Sequence, residues 1–568
     1  MPPESQAPLT RRLLPWLALT LLYTALTCVY FWPLPRVGGD HLGPDLGDPL
    51  FNLWVLKWGA HQIGLRAPDV WDANIFYPTR GTLAFSDHLL GPAAQLFLFE
   101  RIVPNAIAGY NFLFLSSFVA SALAVCWVLR RSGISWIAAG LAGGMYAFSC
   151  FRYLHLNHIQ LLIAQWIPLT LWFWDRLLAE RTIKNAALFL FFYLLNLSGG
   201  CYLAYMIHFP MLAILASRGI ADWRGLLSLR PLRVLAPVAL LAGASAAVFF
   251  LPYARISHTQ SLSRQAYEFE FYGARLASYF SPCDQNLYFG ERQQQLLSRT
   301  LGEERASLFH RPENALFAGF LPTILFCVGA FAALRGPRQG PVDPWARGLA
   351  LSGLLCFALS FAPVYVPLAR IVPGLSGMRV PARFYAVVSL TVVYFAARGA
   401  DHLLRRLSSP RARLALAAGL TALLVVELAP RPGSWERLPR EEQLPRAYFW
   451  LRDQPDVKAL IELPLYNDPR ENQYLYAATL HWKPIANGYS GYTAESYLRL
   501  LNHIPRLPHP DGFDLLREMG ITHIVLHTDK TIDWRAVERW EERFGSGPER
   551  RMEKVYEEKG IAIYRLVQ

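Results

Sequence analysis

The stretch VGGDHLGPDLGDPLFNLWVLKW, Val37 to Trp58, decides how the rest of the chain is read. It follows directly on the first apolar run and places Asp40, Asp45 and Asp48 within nine positions. The apolar runs elsewhere hold almost no charge, so the ionisable groups able to do chemistry gather in loops at one membrane face. Gly38, Gly39, Gly43 and Gly47 let the backbone turn sharply and approach a ligand. After Asp48-Pro49, FNLWVLKW carries an apolar stripe suited to a helix lying in the membrane interface. An aspartate fixed there can act as a general base towards a hydroxyl, or hold a divalent cation. The plainer reading is a solvated acidic loop in which Asp48 caps a helix that starts at Pro49.

Composition agrees with a membrane protein. Of 568 residues, 53% are hydrophobic and 17% charged, against about 25% charged in soluble proteins. Apolar runs of roughly 15 to 20 residues then mean membrane helices. The formal charge of +13 does not point to nucleic acid, because the excess lies in short loops between runs. From Arg431 onward 20 basic residues face 21 acidic ones, so the tail is near neutral. The seven cysteines are scattered, with no CxxC pair, and support neither a zinc site nor a disulfide framework. The first run follows Arg11 and Arg12, is too long for a signal peptide, and reads as an uncleaved span.

About eleven spans are expected, starting near Leu13, Tyr110, Trp136, Leu161, Ala186, Tyr202, Leu235, Leu316, Leu349, Phe384 and Leu414. Alternate connections hold about 19 basic residues against about 6 acidic, and the opposite set about 16 against 14. The positive-inside rule puts the N-terminus in the cytoplasm and the C-terminal domain outside. Leu89–Ala108 is interrupted by Pro92, Glu100, Arg101 and Pro104, and is expected to be interfacial or re-entrant. The organisation is a membrane domain over 1–430, with long outer loops at 33–109 and 253–314, and an extracytoplasmic α/β domain over 431–568. In that tail VKALIELPLY and ITHIVLHTD read as strands, DGFDLLREMG as a helix stopped by Gly520, and EKVYEEKGIAIYRLV as a hairpin. Asp533 is the expected cap of WRAVERWEERF.

Other outer positions are candidates. NIFYPTRGTLAFSDH sets Asp87 and His88 against the membrane. RYLHLNHIQ sets Arg152, His155, His158 and Gln160 on one outer edge, the two histidines on one helical face, a weak metal signal. GMRVPARF carries Arg379 and Arg383 where orientation calls for no positive charge; they fork a phosphate or pair with loop acids such as Glu313. HWKPIANGYSGY, His481 to Tyr492, offers aromatic faces for sugar rings or for packing. Glu427, near the outer end of the last span, is expected to snorkel.

GDPLFNLW, NIFYP, SDH, FRYLHLNHIQ and MRVPARF, with an outward acidic loop after span one and a C-terminal outer domain, resemble the GT-C superfamily of integral-membrane glycosyltransferases. The chain is similar to bacterial multi-pass proteins placed near that superfamily; the likeness covers about 400 residues in architecture. The resemblance implies a bacterial inner-membrane enzyme that moves a sugar from a polyprenyl-phosphate donor to an envelope glycan, lipid or protein acceptor. It also implies that Asp48, or Asp40, is the base and that Arg379 and Arg383 bind the phosphate. From the residues themselves, Asp87 is a further candidate for catalysis, and Asp45, His88, Arg152, His155, His158, Gln160 and Glu313 are candidate substrate contacts. The chain lacks the paired Asp-Glu that some members carry here. A divalent cation is compatible with this set and not required by it. The rival readings are a transporter or lipid flippase, which the scarcity of charge within the spans disfavours, and a non-catalytic subunit presenting its outer domain.

Overall fold

The computed structural model describes residues 9–67, 69–226, 229–302, 312–335, 343–504, 507, 509–530, 534–545 and 550–567. The chain forms two compact units. One comprises Met1–Arg36, Phe112–Phe250 and Ser263–Gly433; the other comprises Val37–Asn111, Leu251–Leu262 and Ser434–Gln568. The tail is therefore compact only together with the first outer loop.

The first unit is helical. Among the described residues, five helices are long and apolar enough to cross a membrane: Leu13–Tyr30, Ala106–Arg131, Cys201–Asp222, Arg233–Thr259 and Pro381–Arg406. Pro344–Leu359 and Ala362–Ala369, bent by 86°, make a sixth if taken together. Ile183–Gly199 and Phe320–Leu334 are apolar but shorter, and Trp136–Ala147 has only 12 residues, where an upright crossing takes about 20. The sequence count of eleven includes such short helices. The span expected near Leu161 is displaced. Polar HLNH breaks the chain into short helices Cys150–Leu154 and Ile159–Leu162 before Trp166–Glu180 begins.

Helix starts follow their caps. Thr182 accepts the amide of Asn185, Asp343 that of Trp345 ahead of Pro344, and Ser409 that of Ala412. Gly329 and Gly399 let helices Phe320–Leu334 and Tyr385–Arg406 meet backbone to backbone. A Cβ on Gly329 would strike the carbonyl of Phe395, and one on Gly399 that of Leu325.

Glu427 does not snorkel. It is buried, and its carboxylate accepts the amides of Phe320 and, at 3.0 Å, Leu321, capping the start of Phe320–Leu334. Glu427→Leu should therefore cost about 2 kcal/mol or more by stranding two amides, whereas Glu427→Gln should retain most of the stability. Unfolding in detergent compares the two, and equal losses would remove the capping role.

The second unit is built around helix Asp48–Leu65. The interfacial stripe expected there is not what forms: Pro49 through Ala60 are all buried, so this part of the helix is covered all round. It packs on Leu90–Glu100 and Asn472–His481, and its lysine, Lys57, pairs with Glu441. Leu90–Glu100 has 11 residues, about 16 Å, too short to cross. The tail contributes a four-stranded sheet. Leu460–Leu463 lies parallel to His523–His527, which pairs antiparallel with Ile561–Leu566, itself hairpinned to Met552–Glu558. Gly520 takes φ +76°, as a helix stop requires. Asp533 lies outside the described residues. Backbone bonds from Phe76 to Asn487 (2.9 Å), Tyr77 to Ile485 (3.0 Å) and Ile485 to Asn74 (2.9 Å) join the first loop to the tail. A short ladder pairs His41–Leu42 with Glu436–Arg437.

Candidate functional site

In the second unit, the helix at Asp48 is capped by Gly47, not by Asp48, and no side chain bonds at the cap. Asp48 is the first helical residue, so its carboxylate stands at the positive end of the helix dipole. It accepts the hydroxyl of Tyr489 at 3.1 Å, and Asn472 holds the Gly47 carbonyl at 2.9 Å. Gly43, at φ +25°, makes room for the Pro49 ring, which a Cβ would strike. Asp45 turns its carboxylate onto the Gly47 amide at 2.7 Å, a local turn. Tyr110 is buried within electrostatic reach of both Asp48 and Asp45, and its hydroxyl has no hydrogen-bond partner among the described residues.

Asp40 faces elsewhere, bonded to His41 at 2.8 Å and 3.9 Å from Arg437. Asp87 and His88 are both buried. His88 accepts the Leu90 amide at 3.2 Å at the start of Leu90–Glu100, and its ring packs against Trp71 and Tyr253. The HWKPIANGYSGY loop packs: Tyr489 meets Phe51, Tyr492 meets Phe85, and Gly488 admits Phe76. Tyr489 is the residue that sequence reading missed as a partner of Asp48. The loop was visible as a Gly/Tyr tract, but no local signal tied it to the first loop.

In the first unit, His155 and His158 do not share a helical face. They sit at the bend between Cys150–Leu154 and Ile159–Leu162, with Nδ1 atoms 3.3 Å apart, so one ring donates to the other. His155 Nε2 lies 3.5 Å from Glu313. Glu313 in turn takes Arg383 through Nε (3.1 Å) and Nη2 (2.7 Å), and Arg383 lies over the Tyr202 ring at 4.7 Å. The pair is buried. Burial pushes the Glu313 carboxyl up, but the Arg383 guanidinium beside it outweighs burial and holds the group at about 2. Burial dominates at His155, brought down to about 3, so its ring is neutral at pH 7. Of the two readings of Arg383, pairing with Glu313 is the one that forms, through its Nε/Nη2 edge.

Two other arginines differ. Arg152 is 3% exposed, donates one bond to Ser117 at 3.3 Å, and lies over Phe118 at 4.5 Å. Its Nε and Nη1 have no partner among the described residues. Arg379 lies over Tyr272 at 5.0 Å and has no carboxylate partner among them. Gln160 is buried, with its carbonyl oxygen unpartnered among the described residues. No group of three or more His, Cys, Asp or Glu is placed to hold a metal among the described residues.

The whole chain superposes on the cryo-EM structure of the arabinofuranosyltransferase AftD from mycobacteria. The TM-score is 0.55 at 14% identity, over 99% of this chain and 40% of that one. This chain thus spans well under half the length of that neighbour. The apo oligosaccharyltransferase of Archaeoglobus fulgidus (TM-score 0.48, 14% identity, 100% of this chain and 75% of that one) matches more loosely. So does apo ArnT from Cupriavidus metallidurans (0.38, 11%, 97% and 98%). Only the first superposition is tight enough to bear on the fold. No family model and no curated protein matches the chain. At 14% identity the superposition on AftD shows a shared fold and nothing further.

Proposed function

We propose that the protein is a membrane glycosyltransferase that takes a sugar from a polyprenyl-phosphate donor and passes it to an acceptor at the outer face of a bacterial inner membrane. The observation that carries the reading is Arg152. A guanidinium 3% exposed among apolar helices, with two nitrogens unpartnered and no acid beside it among the described residues, calls for an anion. A lipid-linked phosphate supplies one at that depth, and a fork binds it through paired hydrogen bonds. Arg379 is a second donor of the same kind, and Gln160 offers an acceptor for a sugar hydroxyl. Asp48 is the base: it takes the proton of the acceptor hydroxyl as that oxygen bonds to the anomeric carbon and the phosphate departs with the bonding pair. Tyr489 orients its carboxylate. Arginine stabilises the charge that grows on the leaving phosphate.

Arg152→Lys tests the phosphate role, since a point charge cannot replace a fork. Polyprenyl phosphate should bind the purified variant about 10- to 100-fold more weakly than wild type. Unchanged affinity would take Arg152 out of the site. The proposal also needs the tail and the loops of Asp48 and Arg379 outside. Reporter fusions after Arg130 should read as cytoplasmic, and fusions after Gln568 as the opposite side. A cytoplasmic C-terminus would contradict the mechanism.

A further inference from the structure

The first unit contains a cavity of about 1010 Å³ that the proposed reaction does not use. Its walls are apolar and aromatic: Leu123, Trp127, Leu169, Phe173, Leu188 and Phe192, with Phe173 stacked on Phe192 at 5.4 Å and Trp127 tilted on Phe173 at the same distance. Its residues on helix Trp166–Glu180, among them Leu169, Phe173, Arg176 and Glu180, recur at three- and four-residue spacing and form one face. That helix is 15 residues long, about 22 Å. Half of a bilayer with its headgroups is also about 20 to 22 Å.

One end of the cavity is cationic. Arg131, Arg176 and Lys184 line it together with a single acid, Glu180. Arg176 is committed, to Asp175 at 2.7 Å and Glu180 at 3.6 Å, and Asn185 also donates to Glu180 at 2.8 Å. Arg131 has only the Trp127 ring, 5.3 Å away, and neither it nor Lys184 has a carboxylate partner among the described residues. Two uncommitted cations thus flank the mouth of an aromatic-walled groove one leaflet long.

We infer that this groove holds one anionic glycerophospholipid of the phosphatidylglycerol type, with acyl chains along the aromatic walls and its phosphate between Arg131 and Lys184. Basic pockets between membrane helices take lipid headgroups in this way, each cation near the surface adding about fivefold in affinity. The site is independent of the proposed sugar transfer, which uses Arg152, Arg379 and Asp48.

The test is native mass spectrometry of the full chain, purified in detergent and offered phosphatidylglycerol, phosphatidylcholine or polyprenyl phosphate in turn. Phosphatidylglycerol should be retained at one copy per chain and in preference to phosphatidylcholine. Arg131→Ala with Lys184→Ala, both at exposed positions, should weaken it about 20-fold. Leu169→Trp, which fills the groove, should abolish retention while thermal unfolding shows the chain still folded. Equal retention of phosphatidylcholine, or full retention by the double variant, would overturn the headgroup assignment. Retention of polyprenyl phosphate that is lost in the Leu169→Trp variant, and not in Arg152→Lys, would overturn the choice of lipid. Retention by the Leu169→Trp variant would overturn the site.

Discussion

Asp48→Asn is expected to lower sugar transfer by about 10²- to 10⁴-fold, the worth of general-base assistance. Asparagine preserves the shape and can still accept from Tyr489, which bonds Asp48 at 3.1 Å, but it cannot take the acceptor's proton. The loss should fall on kcat, with donor affinity little changed, because the base acts on the acceptor. Insertion and thermal unfolding should match wild type, since Gly47 and not Asp48 caps the helix. Full activity in the variant would move the base to Asp40 or Asp87. Tyr489→Phe should show a smaller loss of the same kind, about tenfold, through the orientation it removes.

Glu313→Gln should strongly destabilise the first unit. It leaves the Arg383 guanidinium buried without its acid, and breaking a buried pair on one side costs roughly 3–5 kcal/mol. Arg383→Met added to it should recover most of that loss, because an apolar side chain replaces the stranded charge. Unfolding in mixed micelles, followed for the single and double variants, checks this. A loss below about 1 kcal/mol in the single variant, or no recovery in the double, would show that the pair does not hold these segments together. Transfer activity should survive in the double variant if Arg152 and Arg379, not Arg383, serve the phosphate.

Much of this was legible in the chain because it depends on local pattern. The apolar runs declare the membrane. Strand His523–His527, the hairpin closing at Leu566 and the helix stopped at Gly520 follow from periodicity and turn chemistry. The interfacial helix was misread because FNLWVLKW is half of a helix buried on all sides, and a window that short shows a stripe whether or not one exists. The long-range pairings within each unit were not legible. In the second unit Asp48 and Tyr489 are 441 positions apart and Phe76 finds its backbone acceptor at Asn487; in the first, Arg383 and Glu313 are 70 apart. No local period encodes such contacts, since they come from the packing of whole elements. Arg152 was named from its loop, but what separates it from Arg383 is burial without a counter-charge, which only the assembled helices reveal.

Sugar transfer itself is the decisive measurement. The purified full-length protein, given polyprenyl-phosphate donors carrying radiolabelled pentoses or hexoses together with membrane-extracted acceptors, should release free polyprenyl phosphate and move label into acceptor. It should do so with wild type and not with Asp48→Asn. If wild type releases no polyprenyl phosphate with any donor in the panel while remaining folded, the chain is not a transferase. A non-catalytic membrane subunit would then be the reading to pursue.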